Sequence, residues 1–203
     1  MIAAGSGEDC DALCKAHSSE FPTNNLGLLS WYTGCTLERD WERGTLTVTQ
    51  SPYIDQLSEC FDVCSSSLLP VTANEQTLPR QDKEEPEPEC YRELIGPLLW
   101  VVFMSRLDVS SPVRVLARYS QDPSKTHWPQ GFKILRYLIR TRTWGISYRK
   151  GSGLQLYAFA DSYAGDTNDR CSVSGGAIMF RGSAVSRFSR TQSTWRWATV
   201  QRN

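Results

Sequence analysis

The sequence predicts an α+β fold in which a largely helical region precedes a sheet. Apolar residues recur at helical spacing in the middle of the chain, as at Trp128, Phe132, Leu135 and Ile139, and this pattern is typical of a helix with one buried face. From Trp144 onwards the period shortens towards two, which is the period of a strand. The 203 residues suffice for one or two domains with their own cores.

The N-terminal part predicts two helices separated by a hairpin. Residues 1–4 resemble the end of a buried strand, and acidic residues then mark the first turn of a helix. We expect a helix over residues 8–20, strands over 28–38 and 45–50, a turn at 40–44, and a helix over 51–61. Ser51 is the expected N-cap of that last helix, with Pro52 at its first position.

Residues 64–90 are rich in Ser, Pro and Glu and predict a flexible acidic linker. After the linker we expect three helices. The first covers residues 91–106, the second begins at an N-cap at Asp108, and the third covers residues 126–142. Strands are then expected over residues 146–149, 154–160, 175–180 and 184–188, as the opening of a mixed sheet. Trp100 and Trp128 fall at apolar helical positions, which favours core packing over base stacking.

Charge divides the chain into two unequal halves. Residues 1–90 hold 16 acidic and 5 basic side chains, a net of −11, whereas residues 91–203 hold 6 acidic and 17 basic ones, a net of +11. This division favours a nucleic-acid or other polyanion surface on the second half. A solvated basic face without a partner is the alternative. The candidate contacts to a nucleic-acid backbone are Lys133, Arg136, Arg140, Arg142, Arg149 and Lys150.

The cysteines and the hydropathy of the chain indicate the cellular compartment in which the protein is expected. Cys10 and Cys14 lie four residues apart with His17 nearby, but the four-ligand spacing of a structural zinc site is missing. Reduced thiols in a reducing compartment are therefore expected. The sequence has no run of about 18 apolar residues and no secretory leader. We expect a cytoplasmic or nuclear protein that is neither secreted nor bound to a membrane.

Several segments, in order, resemble the Pol polyprotein of copia-type LTR retrotransposons. LGLLSWYTGCTLERD at residues 26–40 is similar to the family stretch LGELxYFLGIEVxRD, and CYRELIGPLLW from Cys90 is similar to YRxLIGSLxYL. SRLD at 105–108 resembles TRPD, DPSKTHWPQGFKILRYL at 122–138 resembles xPxxxHWxAxKRILRYL, and WGISY at 144–148 resembles GLxY. YAFADSYAGD at 157–166 resembles GYSDADWAGD. As an ordered set, these matches are specific.

The resemblance implies a fragment that joins the end of a reverse transcriptase to the start of a ribonuclease H. Residues 1–63 would then be palm- and thumb-like, 64–90 a linker, 91–150 a helical connection-like region, and 151–203 the truncated N-terminal part of a ribonuclease H-like domain. The parent polyproteins carry RNA-directed DNA polymerase and RNA–DNA hybrid ribonuclease activities that use Mg²⁺. Other parts of such a polyprotein are expected partners.

The resemblance also implies which catalytic positions are present. The polymerase aspartates of the family's YVDD turn would precede Met1. Asp161 stands at the family's first ribonuclease H aspartate and would be a metal ligand at a strand end, although a turn-capping aspartate is the alternative. An ungapped reading places Gln201 where the family has a glutamate, and a neutral amide does not supply that charge. His127 belongs to the family's HW pair, which implies capping or packing.

Three functions follow as alternatives. The first is a catalytically inactive Pol relic that binds an RNA–DNA hybrid or other nucleic acid weakly and binds no Mg²⁺ productively. The second is a weak metal-dependent ribonuclease H-like nuclease that uses Asp161 with Asp166 or Asp169. The third is a non-enzymatic interaction protein co-opted from the element.

Overall fold

The computed structural model describes residues 2, 4–64, 90–163 and 172–192. These residues form a mixture of helices and two antiparallel sheets, which confirms the α+β class. The helices are α1 (Gly7–Glu20), α2 (Ser51–Cys60), α3 (Tyr91–Met104), α4 (Ser110–Ala117) and α5 (His127–Arg140), with a 3₁₀ turn at Leu107–Val109. The strands are β1 (Trp31–Tyr32), β2 (Cys35–Asp40), β3 (Thr45–Thr49), β4 (Ile146–Arg149), β5 (Leu156–Tyr163), β6 (Val173–Phe180) and β7 (Ser183–Thr191).

The first sheet has the order β1-β2-β3-β4. The prediction of one strand over residues 28–38 was wrong, because a tight turn at Thr33 and Gly34 divides it into β1 and β2. Both turn residues have positive φ, 49° and 83°, and Tyr32 pairs with Cys35 across them. Two consecutive left-handed residues match the right-handed twist of the flanking strands, which is why such turns close hairpins.

Strand β4 completes this sheet from a distant part of the sequence. It pairs antiparallel with β3, with Ile146 opposite Val48 and Arg149 opposite Thr45. Gly145, just before β4, lies so close to β3 that an added Cβ would be 2.0 Å from the carbonyl oxygen of Val48. A residue with a side chain therefore cannot occupy this position without displacing the backbone.

The hydrophobic core joins helices from both sides of residues 65–89. It contains Ile54 and Leu57 of α2 together with residues of α3, α4 and α5. The buried aliphatic members of these three helices include Leu94, Leu98, Val101, Val113, Leu116, Leu135 and Leu138. Helix α5 approaches α3 closely at Gly131, where a Cβ would lie 2.7 Å from Cδ2 of Leu94. Trp128 packs against this core as predicted.

The second sheet has the order β5-β6-β7, and each neighbouring pair is antiparallel. Arg181 and Gly182, with φ of 50° and 79°, form the two-residue turn between β6 and β7. The expected mixed sheet is antiparallel in the strands that the structure describes. The hydroxyl of Tyr148 in β4 donates to the carbonyl of Ala184 in β7 at 3.0 Å, which links the two sheets.

Two predicted caps and one predicted core residue were wrong. Helix α2 begins at Ser51 itself, whose hydroxyl donates to the carbonyl of Arg142 (2.9 Å) instead of capping the helix. Asp108 does not cap α4, which follows Val109 without a side-chain cap, because its carboxylate pairs with Arg106. Trp100 remains 37% exposed and stacks on Phe103 at the surface.

Helix α1 forms close to its predicted bounds, and the Ser6 hydroxyl caps it by accepting from the Asp9 amide at 3.2 Å. Within the described ranges, no group of three or more His, Cys, Asp or Glu side chains is placed to hold a metal ion. The six cysteines in those ranges are free thiols. Of the helices described, none has the length and hydrophobicity needed to span a bilayer.

Candidate nucleic-acid interface

A buried arginine organises the surface at the end of α5. Arg106 follows α3 and is 1% exposed. Its Nε and NH2 donate to the two carboxylate oxygens of Asp108 at 3.0 and 2.7 Å, which is bidentate pairing. NH1 donates to the carbonyl of Thr141 at 2.9 Å, and NH2 also reaches the Thr141 hydroxyl at 2.7 Å. These four bonds provide the partners that a buried charge requires.

Two aromatic residues complete this arrangement. The guanidinium carbon of Arg106 lies 5.4 Å from the ring centroid of Tyr137 and 5.8 Å from that of Trp144. The Tyr137 hydroxyl donates to Asp108 at 3.0 Å, and the two aromatic rings meet edge to face at 6.5 Å. We call these five residues, Arg106, Asp108, Tyr137, Thr141 and Trp144, the Arg106 cluster.

The contacts within the Arg106 cluster shift the pKa values of Asp108 and Tyr137 in opposite directions. Burial alone would raise the pKa of Asp108, but hydrogen bonds from Arg106 and Tyr137 and the charge of Arg106 outweigh it and hold the pKa below its ordinary value. Burial, followed by the neighbouring Asp108 carboxylate, raises the pKa of Tyr137. At neutral pH, Asp108 is therefore ionised and Tyr137 is the donor between them.

The predicted basic residues fall into two groups around this cluster. Arg136 and Arg140 are exposed and lie four residues apart, so they share one face of α5. Arg142 is exposed just beyond the helix, and its Nε lies 3.4 Å from the carboxylate of Asp55. Lys133, predicted on the same solvated face, is half-buried.

The second basic group lies at the other end of β4. Arg149 and Lys150 are both exposed there, and the Lys150 amide donates to the carbonyl of Gly44 at 2.7 Å. Strand β4 advances about 3.3 Å per residue, so roughly 10 Å of strand separates its first residue from Arg149. Arg136 and Arg140 thus lie on one helix face with Arg142 two residues beyond the end of α5, whereas Arg149 and Lys150 lie at the far end of β4.

Trp144 is the surface residue that the sequence interpretation missed. It follows the basic helix and remains 58% exposed, although the Arg106 cluster holds it. The expectation that tryptophans pack in the core left the surface position of Trp144 unpredicted. The available signal was its position two residues after Arg142 and outside any helical apolar stripe.

Asp161 lies inside a strand rather than at its end. Strand β5 continues to Tyr163, and Asp161 pairs with Gly175 of β6. Its side chain is exposed and accepts a hydrogen bond from the Ser162 amide at 2.7 Å. Asp166, Asp169 and Gln201 lie outside the described residues.

The described residues do not fit the Mg²⁺ that the resemblance implies. Mg²⁺ requires a near-octahedral set of oxygen ligands, commonly from more than one carboxylate or from a substrate phosphate. Asp161 has no cluster of acidic, histidine or cysteine partners among the residues that the structure describes.

His127 has the packing role that its position implied, whereas no side-chain hydrogen bond caps α5. It is buried at the start of α5, and its Nδ1 accepts a hydrogen bond from the amide of Ser124 at 3.0 Å. Its ring stacks on Tyr119 with a centroid separation of 4.4 Å. The HW pair therefore begins the helix and contributes to its packing.

Comparison with known proteins found relatives in sequence, but no family model and no solved structure matches the chain. The chain is 32% identical over 105 residues to the secreted RxLR effector protein 161 of Plasmopara viticola, which covers 51% of this chain and 74% of the effector. It is 36% identical over 108 residues to the retrovirus-related Pol polyprotein from transposon RE2 of Arabidopsis thaliana, over 53% of this chain and 7% of that polyprotein.

A third relative aligns with most of the chain. A putative transposon Ty5-1 protein of Saccharomyces cerevisiae is 24% identical over 186 residues, which cover 91% of this chain and 60% of the yeast protein. The chain thus spans only a small part of the RE2 polyprotein and somewhat more than half of the Ty5-1 protein.

Proposed function

Because the chain belongs to the Pol polyproteins of copia-type retrotransposons, we propose that it serves as a nucleic-acid-binding portion of such a polyprotein and catalyses no reaction by itself. Its ligand would be an RNA–DNA hybrid or another nucleic acid, bound through the phosphate backbone without regard to sequence. Residues 1–63 would be palm- and thumb-like, 91–150 connection-like, and 151–203 the start of a ribonuclease H-like domain. The proposed site of action is the cytoplasm or nucleus, alongside other parts of Pol.

The observation that carries this proposal is the group of exposed arginines at the end of α5. Arg136 and Arg140 share one helix face, and Arg142 follows directly. Guanidinium groups in such an arrangement suit bidentate contacts to phosphate oxygens. The Arg142–Asp55 pair is about half-exposed on both sides, so it contributes less than about 1 kcal/mol and a phosphate can replace the carboxylate.

The absence of turnover is proposed from the acidic residues. Within the described part of the chain, Asp161 belongs to no group of three or more acidic, histidine or cysteine side chains that could hold an ion. The family alignment puts Gln201 at a glutamate position. Incubation of the full chain with Mg²⁺ and an RNA–DNA hybrid should leave the RNA intact. Cleavage that Asp161→Asn abolishes would instead identify a ribonuclease.

The binding proposal is tested by fluorescence anisotropy with a labelled RNA–DNA hybrid over a range of salt concentrations. Each lost phosphate contact lowers the slope of log K against log salt by about 0.9. The variant Arg136→Ala/Arg140→Ala/Arg142→Ala should bind more weakly and show a slope reduced by about two to three. Arg92→Ala/Arg190→Ala removes exposed arginines elsewhere and should retain the wild-type slope. An unchanged slope in the triple variant would refute the proposed interface.

The Plasmopara relative favours a second candidate, a non-enzymatic interaction protein. The aligned region covers 51% of this chain and 74% of a protein named as a secreted effector, so about half of this sequence has a counterpart in a protein that is not named as a polyprotein. Under this alternative, the chain unfolds cooperatively as a monomer and the triple arginine variant binds nucleic acid no differently from the wild type. Both results together would favour it over the Pol-binding role.

A further inference from the structure

We propose that Trp144 is a stacking platform for an unpaired base, which adds to the backbone contacts of the arginines at the end of α5. This inference rests on the proposed nucleic-acid binding and adds the class of ligand. It starts from an unusual combination: Trp144 is 58% exposed, yet the surrounding structure fixes its position.

The backbone on both sides of Trp144 is held in place. Its own amide donates to the carbonyl of Thr141 at 2.9 Å. The next residue, Gly145, lies against β3 with no room for a Cβ beside the carbonyl of Val48. The ring therefore emerges from a short segment anchored to α5 at one end and to the sheet at the other. A pre-ordered aromatic ring loses little conformational entropy when a ligand stacks on it.

The ring is also supported from within the protein. The guanidinium of Arg106 lies 5.8 Å from its centroid, and the Tyr137 ring meets it at an interplanar angle of 85°. These contacts leave more than half of a large aromatic surface in water, where a base can cover it.

The surrounding charge indicates what kind of ligand covers the ring. Arg140 and Arg142 are exposed and precede Trp144 by four and two residues. Proteins that bind single strands combine backbone-contacting cations with aromatic rings on which bases stack. In a duplex the bases are already stacked on one another, so a side-chain platform gains a partner only where a base is unpaired.

Another exposed tryptophan provides a matched comparison. Trp41, in the turn between β2 and β3, is 75% exposed, but Asp40 and Glu42 flank it directly. Those carboxylates repel a phosphate backbone. Arg39 and Arg43 lie two residues to either side of Trp41, but Asp40 and Glu42 balance their charge and Arg43 is paired with Asp40. Trp41 therefore offers the same ring at a similar exposure in a turn whose charges cancel.

The test compares two oligonucleotides of equal length and charge by anisotropy, a 12-mer oligo(dT) and the same strand with abasic sites in place of its bases. The wild-type protein should bind oligo(dT) roughly five- to 150-fold more tightly, which is the range for one stacked base. Trp144→Ala should bind both strands equally, with the salt slope of the wild type. Trp144→Phe should retain most of the preference, and Trp41→Ala all of it.

The outcomes separate this inference from the proposed function. If Trp144→Ala retains the preference for oligo(dT), the platform is refuted, and the salt slope of the triple arginine variant still decides the backbone interface. If the wild-type protein binds the abasic strand as tightly as oligo(dT), the platform is refuted without any variant, so misfolding of Trp144→Ala does not affect the result. If neither strand binds, the platform is refuted, and the salt titration with the RNA–DNA hybrid still decides the backbone interface.

Discussion

Replacing Arg106 by alanine should cost about 3 kcal/mol of unfolding free energy. Removing one member of a buried ion pair typically costs 3–5 kcal/mol, because the remaining charge stays without a partner. Two features place this case at the lower end. The Asp108 side chain is 37% exposed, so water partly solvates it once Arg106 is lost. The carbonyl of Thr141 keeps the hydrogen bond from the Trp144 amide.

Urea denaturation at neutral pH, followed by far-UV circular dichroism, measures this loss as a shift in midpoint at an unchanged slope. Arg43→Ala is the matched control, because Arg43 and Asp40 also form an ion pair, at 3.6 Å, with side chains 84% and 43% exposed. An exposed pair of this kind contributes at most about 1 kcal/mol. If Arg106→Ala proves no less stable than Arg43→Ala, the bonds assigned to Arg106 do not stabilise the fold.

Three further predictions concern the same core. Because the pKa of Asp108 is lowered from 3.8, its stabilisation is complete above that value and disappears as the pH falls through the lower folded pKa. The stability difference between the wild type and Asp108→Asn should thus be constant from about pH 7 to 5 and shrink below about pH 4, and a difference independent of pH would contradict this. Gly131→Ala should lower the melting temperature through a 2.7 Å clash with Cδ2 of Leu94, whereas Gly7→Ala, at the exposed first residue of α1 with nothing within 4 Å, should leave the melting temperature unchanged or raise it slightly. Equal effects would exclude the close helix contact. His127→Phe leaves the Ser124 amide without its acceptor and should cost about 1–3 kcal/mol in a urea titration, and a neutral result would assign that hydrogen bond no energetic role.

The sequence predicted the features that depend on local periodicity. The helical stripe that ends at Ile139 is buried, and Arg136 and Arg140 are exposed on the other side of α5, as the 3.6-residue period requires. The hairpin turn over residues 40–44 forms at the predicted place, where the Asp40 carboxylate accepts from the Arg43 amide at 2.9 Å. In these cases, neighbouring residues alone determine the structure.

The remaining features depend on residues distant in sequence. Trp100 and Trp128 both occupy apolar helical positions, but only Trp128 has aromatic neighbours from other elements around it. Asp108 resembles a helix cap until Arg106 is seen to be buried beside it. The division at Thr33 was readable, since Thr-Gly between two strand-like runs permits a two-residue turn.

The Arg106 cluster explains why two separate segments that resemble the family lie together in this fold. SRLD at residues 105–108 supplies the ion pair, and WGISY at 144–148 supplies the ring that rests on it. The Arg106 side chain thereby both stabilises the fold and positions the Trp144 ring as the candidate base platform. Arg106→Ala should consequently weaken oligo(dT) binding even at temperatures where the variant remains folded, because Trp144 loses the cation that supports its inner side. An affinity unaffected under those conditions would show that the hydrogen bond from the Trp144 amide and the contact at Gly145 suffice to position the ring.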